Sequence, residues 1–210
     1  MLSAIFLDIE TTGLDPIVHR SVEIAFKIIN VATGEVRGSY QTVIKQSGDI
    51  WEKRDLTSVE INGFTWELIS QGKDAIQVSS EIIDLFTQLN IQRGKAVFIC
   101  QNPAFDRGFF TQLVNVYTQE RLNWPYHWLD FASMYWALLV HRSIQEKASL
   151  PQEFHLSKNE IAKSYNLPEE VSPHRAMNGV EHLVLCYQNV VGFAGDRKRD
   201  NFWTAFLDDY

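Results

Sequence analysis

The stretch Ile5-Phe6-Leu7-Asp8-Ile9-Glu10-Thr11-Thr12-Gly13-Leu14-Asp15-Pro16 sets two carboxylates, two residues apart, at the end of an apolar run that breaks into a Thr-Thr-Gly turn. On a β-strand, residues i and i+2 point to the same face, so Asp8 and Glu10 stand side by side. Like charges held that close repel unless a cation neutralises them. Hard cations such as Mg²⁺ or Mn²⁺ take carboxylate oxygens, usually together with substrate phosphates. The spacing therefore points to a divalent-metal site at the end of the first strand. The plainer alternative is a strand that exits into a solvated loop, and the remainder of the chain has to decide between the two.

The hydrophobic pattern gives the frame around that strand. Ala4 to Ile9 reads as a short buried strand, and Val22 to Val31 and Glu35 to Ile44 as two further β-rich runs joined by a hairpin turn at Ala32-Thr33-Gly34. Residues 46–73 are polar and irregular and read as an excursion. Ser79 to Asn90 has helical spacing, with apolar residues at 82, 83, 85, 86 and 89. The run 96–100 reads as a strand parallel to the first, Ala104 to Gln119 as a helix, and Tyr126 to Asp130 as a short strand. A helix from about 131 to 142, a short one from Lys158 to Asn166 and a longer one over 175–194 complete the chain. A hairpin followed by alternating helices and strands implies an α/β fold, a mixed five-stranded sheet with helices on both faces.

Composition narrows the class. With 210 residues, 45% of them hydrophobic and 13 Phe, 6 Trp and 7 Tyr among them, the chain can bury one substantial core. We read one domain over 1–195, with 196–210 as a C-terminal extension packed on it. That extension carries Arg197-Lys198-Arg199 and Phe202-Trp203, which could instead dock a partner. The apolar runs are too short to cross a bilayer, and the N-terminus shows no secretory signal. Cys100 and Cys186 lie in apolar contexts and read as buried thiols, which suits a reducing cytoplasm. A net charge of −7 argues against a protein that coats nucleic acid through a broad basic surface, though not against an enzyme that grips only a chain end.

Two further constellations carry chemistry. Gln101 to Phe110 lies just past the strand at 96–100, so Asp106 can approach Asp8 and Glu10 if that strand is parallel to the first. Its bland reading is an acid in the first turn of a helix, favoured by the helix dipole. Pro173-His174-Arg175-Ala176-Met177 opens the last helix. A histidine in such a loop can act as a general base at neutral pH, or it is simply a polar residue at a helix start.

Together these motifs resemble the DnaQ-like, or DEDDh, family of 3′→5′ exonucleases. The first motif is similar to Leu7-Asp8-Ile9-Glu10-Thr11-Thr12-Gly13-Leu14, the second to Asn102-Pro103-Ala104-Phe105-Asp106 and the third to His174-Arg175-Ala176-Met177. Val59 to Thr65 resembles the segment that packs on the terminal nucleotide, Trp128-Leu129-Asp130 the later strand, and Leu156 to Leu167 the short helix before the histidine. The resemblance implies a ribonuclease H-like fold and hydrolysis of phosphodiester bonds at single-stranded DNA or RNA 3′ ends. Two Mg²⁺ or Mn²⁺ ions would activate a water and stabilise the leaving oxygen, with Asp8, Glu10 and Asp106 as metal-holding residues. It further implies His174 as the base, and Thr12, Gly13, Leu14, Phe64 and Asn102 as substrate-binding residues. Phe64 also reads as a loop aromatic covering the sheet. Family members include monomers and dimers, so a homodimer stays open, as does a polymerase partner served by a proofreading-like subunit.

One residue departs from the pattern. The family places its last aspartate five residues after the histidine, and here that position is Gly179. Glu181 lies about 200° around the helix and should face away, and Asn178 lies about 100° off. His182 returns to nearly the same face, but imidazole suits Mn²⁺ or Zn²⁺ better than Mg²⁺, and the plainer reading is a surface histidine. Three readings follow: a weak or Mn²⁺-dependent enzyme, an inactive module that binds nucleic-acid ends, or an engineered change at 179.

Overall fold

The structure, a computed structural model, describes residues 2–147, 149–150 and 153–195. At its centre is a five-stranded sheet in the order β3-β2-β1-β4-β5. Strand β1 (Ser3–Thr11) pairs antiparallel with β2 (Ser21–Asn30), which pairs antiparallel with β3 (Val36–Val43). On its other side β1 runs parallel to β4 (Ala96–Cys100), and β4 runs parallel to β5 (Trp128–Asp130). This is the mixed arrangement that the sequence pattern implies, and the ribonuclease H-like one that the family resemblance implies.

The helices lie on both faces. Three short ones, α1 (Gly48–Glu52), α2 (Leu56–Asn62) and α3 (Trp66–Ser70), follow β3, and α4 (Ala75–Gln88) leads into β4. Between β4 and β5 come α5 (Pro103–Leu113) and α6 (Val116–Arg121). After β5 come α7 (Phe131–Glu146), α8 (Lys158–Ser164) and α9 (Ala176–Val190). Among the described residues no helix is long and apolar enough to cross a membrane.

The two-residue period of β1 sorts its side chains between two cores. Ile5, Leu7 and Ile9 join Ile24, Phe26 and Ile28 beneath Val78, Ile82 and Phe86 of α4 and Phe109 and Phe110 of α5. Ala4 and Phe6 face the other way, with Ala25, Ile29 and Ile99, against Phe131 of α7 and Val180, Leu183 and Cys186 of α9. Each of the fully buried phenylalanines contributes roughly 1.5–3 kcal/mol through removal from water. Asp8 and Glu10 continue the row of Ala4 and Phe6, so the strand aims both carboxyls toward α9. The pairing of β1 with β2 shifts register between Glu10 and Thr11, an irregularity of the kind that bends a strand and re-aims its side chains.

Two elements differ from the sequence reading. The excursion at 46–73 contains the three short helices, each of 5–7 residues, too brief for an apolar period to register. Their ends rest on local caps: the Asp55 side chain accepts from Ser58 N, Thr65 from Leu68 N, and Gly63 closes α2 at φ 65°. The single helix expected over 104–119 is two, because Val114 is extended and Asn115 accepts a new cap bond from Thr118 N at 3.0 Å. Cys100 and Cys186 are buried free thiols. The extension at 196–210 lies outside the described residues.

Candidate active site

Three carboxyl groups, Asp106 buried and Asp8 and Glu10 partly so, approach one another where β1 and β4 end. Asn102 turns the chain out of β4 with a left-handed backbone (φ 58°, ψ 65°), and its N–H donates to Asp130 Oδ1 at 3.1 Å. Asp130 also accepts from Ala132 N at 3.2 Å and Ser133 N at 3.1 Å, so one side chain fastens the start of α7 to the start of α5. Pro103 then opens α5 and places Asp106 in its first turn, only 2% exposed. Backbone groups of Asp106 and Ile9 hydrogen-bond its carboxyl, which ties it to β1.

The electrostatics show a crowded cluster of acidic groups that resist ionising together. Burial, with Asp8 adding to it, pushes the Asp106 carboxyl well above the usual carboxylate range. Burial pushes Asp8 up to about 6; Lys158 and His174 oppose the rise, and Glu170 and Glu23 add to it. Glu10 rises further, to about 8, through burial and then Asp8, Glu23 and Glu170, against a hydrogen bond from Asn62. Five acids thus act on one another within one region.

His174 comes to this cluster on a loop with three tethers. Its backbone N–H donates to Ile61 O of α2 at 3.1 Å, and its ring Nδ1 stands 3.9 Å from Glu170 Oε1. Two residues on, Ala176 N donates to Glu23 Oε2 at 2.8 Å, so a carboxylate on β2 holds the N-terminus of α9. The His174 side chain is 40% exposed and open to a solvent-borne group. One turn further along α9 comes Gly179, buried against Asp8. A β-carbon there would lie 2.1 Å from Asp8 Oδ2, and no carboxyl replaces the missing one.

A second group fills the space near Gly179. Lys158, at the start of α8, is 9% exposed and donates from Nζ to Gly179 O at 3.1 Å. It also pairs with Glu170 Oε2 at 2.8 Å. Although burial acts to lower its pKa, Asp8, Glu170 and Asp106 outweigh that and raise it, so the side chain is an ammonium. His182 is buried rather than on the surface: its Nε2 lies 2.9 Å from Pro168 O and its Nδ1, without a hydrogen-bond partner among the described residues, 3.9 Å from Glu170 Oε2. The helical turn that carries it faces α8 and the 165–175 connection instead of water. Glu181 faces away, as its angle implies, and pairs with Lys27 at 2.8 Å.

The other residues marked in the sequence are dispersed around the rim. Thr12 is fully buried, and its amide and hydroxyl both bond Arg20, at 2.9 and 3.0 Å, closing the 12–20 loop. Gly13 leaves room for the His19 ring, whose Nε2 would stand 2.4 Å from a β-carbon. Leu14 is 73% exposed beyond it, and Asn102 is exposed. Phe64 is 4% exposed in a small cluster with Val22 and Ile69, and the Arg175 guanidinium covers its ring at 4.0 Å. The sequence reading passed over Lys158, Glu170, Glu23 and Arg175. One signal was present: a lysine in the first turn of a helix opposes the helix dipole.

Whether these residues suit a metal depends on which side of the cluster is considered. Among the described residues, no three His, Cys, Asp or Glu side chains form a ready cage. The donors are nonetheless the right kind on the strand side: Asp8, Glu10 and Asp106 offer carboxyl oxygens whose mutual repulsion a hard divalent cation would relieve. On the α9 side, Gly179 offers a carbonyl already bonded to an ammonium. The strand-side donor set is of the kind that would hold a hard divalent cation.

No family model matches the chain. It is 28% identical over 139 residues to the PolC-type DNA polymerase III of Thermotoga maritima, and 27% identical over the same length to that of Thermotoga petrophila. Each match takes in 66% of this chain but 9% of the polymerase, so the chain spans a small part of the relatives it matches. Among solved structures, the zinc-ion-bound E. coli exonuclease I complex with single-stranded DNA superposes with a TM-score of 0.71 at 18% identity, over 90% of this chain and 40% of that one. E. coli exonuclease I in complex with a dT13 oligonucleotide gives 0.69 at 17% identity, over 90% of this chain and 42% of the other.

Proposed function

Since this chain carries the ribonuclease H-like fold found in DnaQ-like 3′→5′ exonucleases, we propose that it removes nucleotides from the 3′ end of single-stranded DNA. The observation that carries the reading is the meeting of Asp8, Glu10 and Asp106 with His174 at the carboxyl ends of two parallel strands. In open α/β sheets that edge is where ligands bind. The exonuclease I structures hold single-stranded DNA, which supports the substrate class; a 3′ end of RNA is the second substrate to test.

In this reading Asp8, Glu10 and Asp106 would hold the divalent metal, Mg²⁺ or Mn²⁺, that the reaction needs. Such an ion makes a water more acidic and stabilises charge on phosphate oxygens. His174 accepts the proton from the water that attacks phosphorus. The P–O3′ bond breaks, the leaving O3′ takes a proton from solvent so that the shortened strand ends in a 3′-hydroxyl, and a 5′-mononucleotide is released. Glu170 faces the far ring nitrogen of His174 and stabilises the imidazolium that forms. Leu14 and Asn102, exposed on the loops beside the carboxyls, meet the terminal nucleotide, while Thr12 and Gly13 shape the loop that presents Leu14. Phe64 supports the site from beneath Arg175.

Digestion of 5′-labelled single-stranded DNA and RNA in Mg²⁺ and in Mn²⁺ tests the reading. The wild type should shorten the strand stepwise, and Asp8→Ala should abolish this. Intact substrate with the wild type in both metals, together with retained binding, would overturn hydrolysis and leave an end-binding module.

A further inference from the structure

The acidic cluster contains a positive charge that the reaction above does not use. Lys158 is buried, and its Nζ is held by Gly179 O at 3.1 Å and Glu170 Oε2 at 2.8 Å. It acts electrostatically on both Asp8 and Asp106. Gly179 stands where the family resemblance expects a carboxylate, and the same residue's carbonyl anchors the ammonium. The two features belong together: position 179 lacks a side chain that would press on Asp8, and a neighbouring helix supplies a cation to the same place. A buried lysine loses hydration and rotamer freedom and opposes the dipole of α8. Its neighbours in α8, Ile161 and Ala162, are fully buried and apolar, so packing alone would favour an apolar side chain at 158.

Resting on the exonuclease reading, we infer that Lys158 is a built-in cation that takes the place of one of two metal ions, so that the site holds a single divalent cation on Asp8, Glu10 and Asp106. One divalent ion and one ammonium together balance those three carboxylates. Glu23 is engaged by the N-terminus of α9 and by Gln41 Nε2 at 2.8 Å, and Glu170 by Lys158 itself. A second divalent ion on the α9 side would meet the ammonium, a backbone carbonyl already bonded to it, and two carboxyls already in use, Asp8 by the first ion and Glu170 by Lys158. Lys158 is therefore a positioning residue: it fixes the charge and orientation of Asp8 and Asp106, and through Glu170 the ring of His174.

The test counts ions without any nucleic acid. Free Mn²⁺ is followed by electron paramagnetic resonance while the full chain is titrated, for the wild type, Lys158→Met and Lys158→Arg. The wild type should saturate at one Mn²⁺ per chain and Lys158→Arg should stay at one. Lys158→Met, which keeps the length and removes the charge, should take up a second ion or hold its ion at least about tenfold more tightly. A wild type that binds two ions or none, or a Lys158→Met protein that matches the wild type in both number and affinity, overturns the inference. If Lys158→Met does not fold, reductive methylation of the wild type decides. A resident ammonium stays unmodified with and without Mn²⁺, whereas exposure of Lys158 by saturating Mn²⁺ overturns it. Failure of the exonuclease reading looks different, since one bound ion without strand cleavage sinks hydrolysis alone.

Discussion

The Asp8 carboxylate packs against the bare Cα of Gly179, so closely that a β-carbon at 179 would stand 2.1 Å from Asp8 Oδ2. Gly179→Ala should therefore act on the site through Asp8. Alanine favours a helix over glycine by about 1 kcal/mol, but forcing it into a filled space typically costs about 1–3 kcal/mol. The expected outcome in urea denaturation is a net loss of roughly 1 kcal/mol. Mn²⁺ affinity should fall about tenfold or more as Asp8 turns away. Unchanged Mn²⁺ affinity would show that the carboxylate relocates without consequence.

The raised carboxyls fix the direction of a pH dependence. Glu10 moves from 4.5 to about 8 and Asp8 from 3.8 to about 6. Through that interval the folded protein keeps protons that the unfolded chain has already released. Without metal, stability should then fall as pH rises from about 4 to about 8, and level off above. Melting temperatures in a chelating buffer between pH 5 and 9 should show the slope, Glu10→Gln should flatten it, and Mn²⁺ should reverse it by favouring the ionised carboxyls. A metal-free melting temperature that rises with pH would contradict this.

His174 should separate chemistry from folding. Its side chain is 40% exposed and makes no short contact with the carboxyls that hold the fold. His174→Ala should lower hydrolysis by about 10²–10⁴-fold while stability stays within about 0.5 kcal/mol of the wild type. Glu170→Gln should give a smaller loss of turnover, because the amide still faces the ring's far nitrogen but no longer carries the charge that stabilises the imidazolium and pairs with Lys158. Single-turnover digestion beside thermal denaturation measures both.

Asp130 joins two helix starts, and its loss should be felt at a distance. Asp130→Ala frees Asn102 N and removes the cap bonds to Ala132 and Ser133. The cap alone is worth about 0.5–2 kcal/mol. The left-handed turn at Asn102 that delivers Asp106 also loses its anchor, so Mn²⁺ affinity should weaken along with stability. Asp130→Asn, which retains one acceptor, should recover part of both.

The sequence made the carboxyl side of the site legible because a two-residue period is enough to place Asp8 beside Glu10. A parallel strand at 96–100 then brings Asp106 to the same edge. The short helices of the 46–73 excursion were not legible, since caps at Asp55, Thr65 and Gly63 define them rather than any apolar period. Lys158 and Glu170 were hidden for another reason. Both sit in polar segments that look solvated, and their partners, Asp8 and Gly179, are brought near only by the packing of α8 and α9 on the sheet. His182 was misjudged because angle around a helix does not say what lies opposite that face. Phe64 could be read as base-stacking or as covering the sheet, and only the fold shows Arg175 above its ring.

The bond from Ala176 N to Glu23 Oε2 divides the site by its supports. The carboxyls of Asp8 and Glu10 belong to a strand buried between two cores and would persist in any state that keeps the sheet. His174 hangs from a connection clipped to that sheet by the Glu23 carboxylate and to α2 by the Ile61 carbonyl. On the proposed reading, a local opening of residues 165–176 would carry the proton acceptor away together with Glu170 and leave Asp8, Glu10 and Asp106 in place. The molecule would then grip a strand end without cutting it, an idle state reached by unfastening a clip rather than by unfolding a domain.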